Sequence, residues 1–116
     1  MKKEPKIFIQ HVLERIERIE RFSVGLSKET FIEDELKNSA IIRQPEIIGE
    51  AVKNLPLAFT EKYPLVSWKE IAGTRDKIIH RYFGVDLKVV WRILEKDLPI
   101  LKEQIQKIKK ELEHGI

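Results

Sequence analysis

Apolar residues recur every three or four positions along almost the whole chain, and that period commits it to helices rather than strands. Ile9, Val12, Ile16 and Ile19 form one such stripe. The opposite face carries Glu14, Arg15, Glu17, Arg18 and Arg21, with Glu14–Arg18 and Glu17–Arg21 in the favourable acid-first order of a solvated surface. This helix is expected to end between Arg21 and Val24, before Gly25. Ser27 is then placed to N-cap a long second helix whose buried face would hold Ile32, Leu36, Ala40, Ile47, Ala51 and Leu55. Pro45 lies inside that run and lacks an amide hydrogen, which predicts a kink or a break. Pro56 and Pro64 bracket a stretch with room for one or two helical turns.

Ser67-Trp68-Lys69-Glu70 reads as a capping box, with Val66 and Ile71 at the positions of a hydrophobic staple. The helix it opens is predicted to run from Trp68 to Phe83, stopped by Gly84 in a left-handed conformation with apolar Val85 behind it. Asp86 caps a further helix carrying Leu87, Val90, Trp91 and Leu94. A last stripe runs through Leu94, Leu98, Leu101, Ile105, Ile108 and Leu112, with Asp97 able to cap a restart of the helix ahead of Pro99. No alternating strand pattern, repeat or low-complexity tract interrupts this reading. The fold expected is all-α, an up-and-down bundle of four to five helices in a single domain spanning residues 1–116.

Composition narrows the function classes. Without cysteine there are neither disulfides nor thiolate metal sites, and His11, His80 and His114 are too scattered to suggest zinc. No apolar run approaches the roughly 18 residues of a membrane span, and no secretory h-region follows Met1-Lys2-Lys3. A cytoplasmic protein is expected, with no membrane partner and no cofactor. The net charge of +3 is compatible with a polyanionic partner but does not demonstrate one.

Chemistry concentrates in the predicted helix 68–83. On a wheel of about 100° per residue, Ile71, Ala72, Ile78, Ile79, Tyr82 and Phe83 fall within roughly 80° of Arg75. Arginine in the middle of an apolar stripe is unusual, because an uncompensated buried guanidinium costs several kcal/mol. Two explanations stand at this point: a buried Arg–carboxylate pair or a snorkelling side chain, or else a face that opens onto an anion-binding cleft or a subunit interface. His80 lies about 140° from Arg75 on the wheel and shares its side with Asp76, one turn earlier. Singly, a histidine so partnered is usually structural or solvated.

Arg75-x4-His80-x-Tyr82 resembles the Arg-x4-6-His motif of the HEPN superfamily, in the Arg-x4-His-x-Tyr form of its HepT-like branch. The flanks are similar in order and spacing as well: Phe31-Ile32-Glu33-Asp34-Glu35-Leu36, Glu46 to Lys53, Trp68 to Asp76, and His80-Arg81-Tyr82-Phe83-Gly84-Val85-Asp86. The resemblance covers about positions 5 to 112. Pro45 departs from it, in the second helix and away from the motif.

The resemblance implies a homodimeric, metal-independent ribonuclease toxin, with the two copies of the motif meeting at one cleft. In that reading Arg75 and His80 are catalytic, Asp76 supports His80, and the substrate is RNA. The resemblance also implies that Tyr82 accepts AMP from a partner, a minimal nucleotidyltransferase antitoxin of the MntA type. The alternative is a non-catalytic subunit that binds a nucleotide or substrate for such a nucleotidyltransferase. A straight helix cannot aim Arg75 and His80 at one phosphate. Either the helix is distorted near Ile78–His80, or each site borrows residues across a two-fold axis.

Overall fold

The computed structural model describes residues 4–80 and 84–114; of Ile79 and His80 it describes the backbone. The first helix, α1, spans Pro5–Phe22 and buries the expected stripe, with Ile9, Val12 and Ile16 fully enclosed and Ile19 nearly so. It stops where expected. The Ser23 amide closes the last turn on the Ile19 carbonyl, and Gly25 takes a positive φ of 78°, open to a residue without a Cβ.

Ser27 caps α2, Lys28–Glu33, by accepting a hydrogen bond from the Thr30 amide, while the Thr30 hydroxyl accepts from the Ser27 amide. The second helix is not continuous, however. Asp34 leaves the helical conformation (φ −89°, ψ 88°) and caps a new helix, α3, Glu35–Lys53, through the Lys37 amide. This break shifts the buried face. Leu36, expected inside, is 84% exposed, whereas Asn38, Ile41, Gln44, Pro45, Ile48, Gly49 and Val52 are buried. That set repeats at three and four residues just as the expected one does, but it includes two amides.

Both amides have work that only the tertiary structure creates. Asn38 Nδ2 donates to the Phe31 and Ile32 carbonyls (3.2 and 3.3 Å), which the break leaves without helical partners. Gln44 Nε2 donates to the Ala40 carbonyl, and its Oε1 accepts from Arg15 of α1 at 3.3 Å. Pro45 does not end α3. The helix passes through it with the pyrrolidine ring buried.

The short helix expected between two prolines is α4, Leu57–Thr60. After α5, Trp68–Ala72, and α6, Thr74–Ile78, come two paired extended dipeptides, β1, Ile79–His80, and β2, Gly84–Val85. Two residues per strand are too few to leave an alternating signature in the sequence. Asp86 caps α7, Leu87–Arg92, with Oδ1 accepting from the Lys88 and Val89 amides. A π-helical segment, Ile93–Asp97, then leads into α8, Leu98–Glu113. The wider turn lets the Leu98 amide reach the Ile93 carbonyl, so the chain stays helical ahead of Pro99, which sits in the first turn of α8.

The described residues hold eight α-helical segments where four to five helices were expected, because the second helix breaks at Asp34 and the motif helix at Gly73. Helix α1 packs on α3 and α8, α3 on α5 and α6, and α2 on α7. Phe31 and Trp91 meet at the last of these contacts, with ring centroids 5.4 Å apart. The fold is all-α, as the periodicity predicts.

Candidate active site

The segment leading to the motif is anchored before it begins. The Tyr63 hydroxyl donates to Glu111 Oε2 of α8 at 2.9 Å, and Trp68 Nε1 donates to the Tyr63 carbonyl at 3.0 Å. Burial, followed by the hydrogen bond to Glu111 and its negative charge, holds the Tyr63 hydroxyl above its ordinary pKa. Ser67 is the N-cap of α5 as expected, but its side chain makes no capping bond. Its ψ of 63° is far from the extended geometry that lets a serine reach the N3 amide, and the buried Val66 and half-buried Trp68 fix the entry instead.

The predicted helix from Trp68 to Phe83 is interrupted at Gly73. The Gly73 amide closes on the Lys69 carbonyl, and Thr74 Oγ1 donates to the Ile71 carbonyl at 2.7 Å, ending α5 and opening α6. Helix α3 crosses this point closely. A Cβ on Gly49 would stand 3.0 Å from the Ile71 carbonyl oxygen. The Gly73-Thr74 pair was the available sequence signal for the break, a C-cap glycine followed by a hydroxyl able to satisfy a terminal carbonyl.

Helix α6 is held by Ile78, which is fully buried, while Arg75, Asp76 and Lys77 are exposed. Arg75 does not lie in an apolar stripe. Re-phasing at Gly73 removes the continuous wheel on which that expectation rested, and a helix of five residues has too few turns to bury more than one anchor. No hydrogen bond or ion pair to another described residue holds its guanidinium, so the buried-pair explanation fails.

Helix α6 ends at Ile78. Ile79 pairs with Val85 and His80 with Gly84 in antiparallel register, the Asp86 amide donates to the Ile78 carbonyl at 2.8 Å, and Gly84 takes a φ of 77°. Gly84 thus has the left-handed conformation expected of it, but within a strand pair and not at a helix end. His80 lies beyond the helix, so Asp76 is not one turn before it and the expected i,i+4 partnership has no helical basis. Of the two geometries that could relieve the wheel, distortion near Ile78–His80 is present in the fold. Tyr82 lies outside the described residues, together with Arg81 and Phe83.

Among the described residues no three His, Cys, Asp or Glu side chains are grouped to hold a metal ion, and no helix is long and apolar enough to cross a membrane.

The comparisons with known proteins agree with one another. A protein of Methanocaldococcus jannaschii named "Gamma-glutamylcyclotransferase and putative RNase" is 48% identical over 113 residues, 97% of this chain and 51% of the relative. The chain therefore spans about half the length of that relative. A "Putative RNase" of Caldanaerobacter subterraneus subsp. tengcongensis is 45% identical over 106 residues, covering 91% of this chain and 95% of the relative. A "Probable ribonuclease HepT" of Thermococcus cleftensis is 43% identical over 110 residues, 95% of this chain and 100% of the relative. No solved structure matches the chain. The family model described as "Ribonuclease HepT-like" matches residues 12–108. With nearly the whole helical fold inside that match, the chain belongs to the HepT-like ribonuclease family.

Proposed function

We propose that the chain is a metal-independent endoribonuclease, acting as a homodimer, with Arg75 and His80 as its catalytic residues. The observation that carries this reading is an exposed Arg75, without a partner among the described residues, on a helix that ends three residues later, leaving His80 on an extended segment free of the helical wheel.

The His80 imidazole takes the proton from a ribose 2′-hydroxyl. The 2′-oxygen forms its bond to phosphorus as the bond to the 5′-oxygen breaks, and the leaving oxygen takes up a proton. A cyclic phosphate and a 5′-hydroxyl result. The Arg75 guanidinium holds the phosphate and offsets the negative charge that grows in the transition state. Asp76 supports the histidine electrostatically.

In this reading the chain is the toxin of a toxin–antitoxin pair. A partner nucleotidyltransferase transfers AMP from ATP to the Tyr82 hydroxyl: the phenolic oxygen, losing its proton, bonds to the α-phosphorus as the α–β anhydride bond breaks and pyrophosphate leaves. The added phosphate occupies the space near Arg75 and repels RNA.

The test is incubation of the purified chain with total RNA and, separately, with DNA, both in EDTA. Cleavage of RNA alone, lost in Arg75→Ala and in His80→Ala, is expected. Failure of the native chain to cut any RNA would refute the nuclease and leave the binding-subunit alternative. Tyr82→Phe should cut RNA normally yet resist silencing by the partner; equal silencing would remove Tyr82 as the acceptor.

A further inference from the structure

Helix α7 carries a pair of cations placed against the local rules. Its exposed side chains are those of Lys88 and Arg92; Val90 is buried, and Leu87, Val89 and Trp91 are half-buried, Trp91 against Phe31 of α2. The two cations stand at i and i+4, where like charges repel and destabilise a helix. Lys88 also lies in the first turn, the end at which a cation is unfavourable, and that turn holds no acid. Neither cation has an ion-pair partner among the described residues. The carboxylates next to them along the chain are engaged elsewhere. Asp86 caps the helix through the Lys88 and Val89 amides, and Glu95 lies 4.0 Å from Lys96. On α1, by contrast, Arg18 and Arg21 each have an acid four residues before them.

The fold sets this pair beside the motif. The Asp86 amide, donating to the Ile78 carbonyl at 2.8 Å, ties the start of α7 to the end of α6, and the two helices pack together. Gly84 stands directly across the strand pair from His80, with about 4.5–5.5 Å between Cα atoms. Lys88 follows Gly84 by four residues, a path of at most about 14 Å. Arg92 lies one helical turn further on, about 6 Å along the axis.

We propose that Lys88 and Arg92 form a track for the RNA backbone, holding phosphates that flank the one being cleaved. The inference rests on the nuclease reading above and adds residues that grip the substrate away from the reacting atoms. A face whose exposed side chains are cations alone lacks the apolar centre of a protein interface and suits a polyanion. Bound phosphates neutralise both charges, so the repulsion that the free helix bears is relieved in the complex. Contacts of this kind raise affinity and set the register of the strand but read no bases. They belong to substrate binding, and the chemical step stays with the motif.

The experiment compares the full chain with Lys88→Ala, Arg92→Ala, the double variant and Lys88→Glu. Lys107→Ala is the control, an exposed cation of α8 roughly 20 Å beyond Arg92 along the helical direction. Binding is read by fluorescence anisotropy on a labelled RNA with 2′-O-methyl riboses, which has no 2′-hydroxyl to react, over a salt series. Cleavage of the unmodified RNA is followed under single-turnover conditions. Each alanine should weaken binding about fivefold and lower the slope of log affinity against log salt by about 0.7. The protein concentration for half-maximal cleavage should rise in step, with the saturating rate unchanged. Lys88→Glu should bind RNA least well of the single variants yet melt no lower than native, because an acid suits the first turn; a purely structural lysine would show the reverse. Native affinity and salt slope in the double variant, or an equal loss in Lys107→Ala, would overturn the track and leave the nuclease standing. So would variants that lose only their response to a protein partner. A native chain that neither binds nor cuts RNA would overturn both.

Discussion

Replacing Arg75 with alanine separates the catalytic account of this residue from the structural one, because the two predict different stabilities. The side chain is exposed and holds no described partner, so its removal should change folding free energy by no more than about 0.5 kcal/mol. Alanine is also an excellent helix former, which works against any loss in α6. A guanidinium paired with a carboxylate in the core would instead cost roughly 3–5 kcal/mol when removed. At about 2.1 cal/mol/K per residue, the 116 residues give an unfolding entropy near 0.24 kcal/mol/K. The first case then shifts Tm by about 2 °C and the second by about 12–20 °C. Activity should move the other way. Losing a donor aimed at the transition-state charge costs about 10²–10³ in rate. The assay pairs a thermal melt with cleavage of a labelled RNA under single-turnover conditions. A melt lowered by more than about 10 °C, with activity recovering on cooling or with a stabilising ligand, would refute the catalytic assignment and make Arg75 a structural residue.

Gly49→Ala tests the close crossing of α3 over the end of α5. Helix propensity alone would favour alanine by about 1 kcal/mol, but the new methyl would meet the Ile71 carbonyl oxygen at 3.0 Å. A net loss of roughly 1–3 kcal/mol in a denaturant titration is expected, and a gain would show that the crossing has slack. Phe31→Ala removes a fully buried ring tilted against Trp91 and should cost about 3–5 kcal/mol by the same measurement. For Tyr63→Phe the prediction concerns pH. A tyrosine whose pKa is raised by folding favours the native state at pH values below its unfolded pKa, and that contribution fades as pH climbs through the folded value. Melts from pH 8 to 11 should therefore show native protein losing its advantage over Tyr63→Phe above about pH 10. Parallel curves would remove any role for the Glu111 contact.

Much of the fold was legible because local rules carried it. The α1 stripe, its stop before Gly25, and the caps at Ser27 and Asp86 depend on residues within a few positions of one another. The second helix was misread for a physical reason. Two interleaved stripes have the same period, and the one without amides looked the more hydrophobic. Asn38 belongs inside because the broken backbone at Phe31 and Ile32 supplies its partners, and Gln44 because it accepts from the distant Arg15 side chain, which periodicity cannot report. At Ser67 the reverse holds: the capping pattern is present, but the packing of Val66 and Trp68 sets a backbone angle that leaves it unused.

The motif helix divides most clearly. By itself the sequence determined that the chain is helical, that Gly84 turns left-handed, and that Arg75, Asp76, His80 and Tyr82 stand close together along the backbone; these are consequences of residue type and spacing. Only the tertiary structure decided that Arg75 and Asp76 face outward. Helix α3 approaching at Gly49, Thr74 capturing the Ile71 carbonyl and Ile78 sinking into the core end α5 at Gly73 and α6 at Ile78. Rotating a helix by one break costs little locally but re-phases every residue after it. An arginine that a continuous wheel would bury is therefore left on the surface.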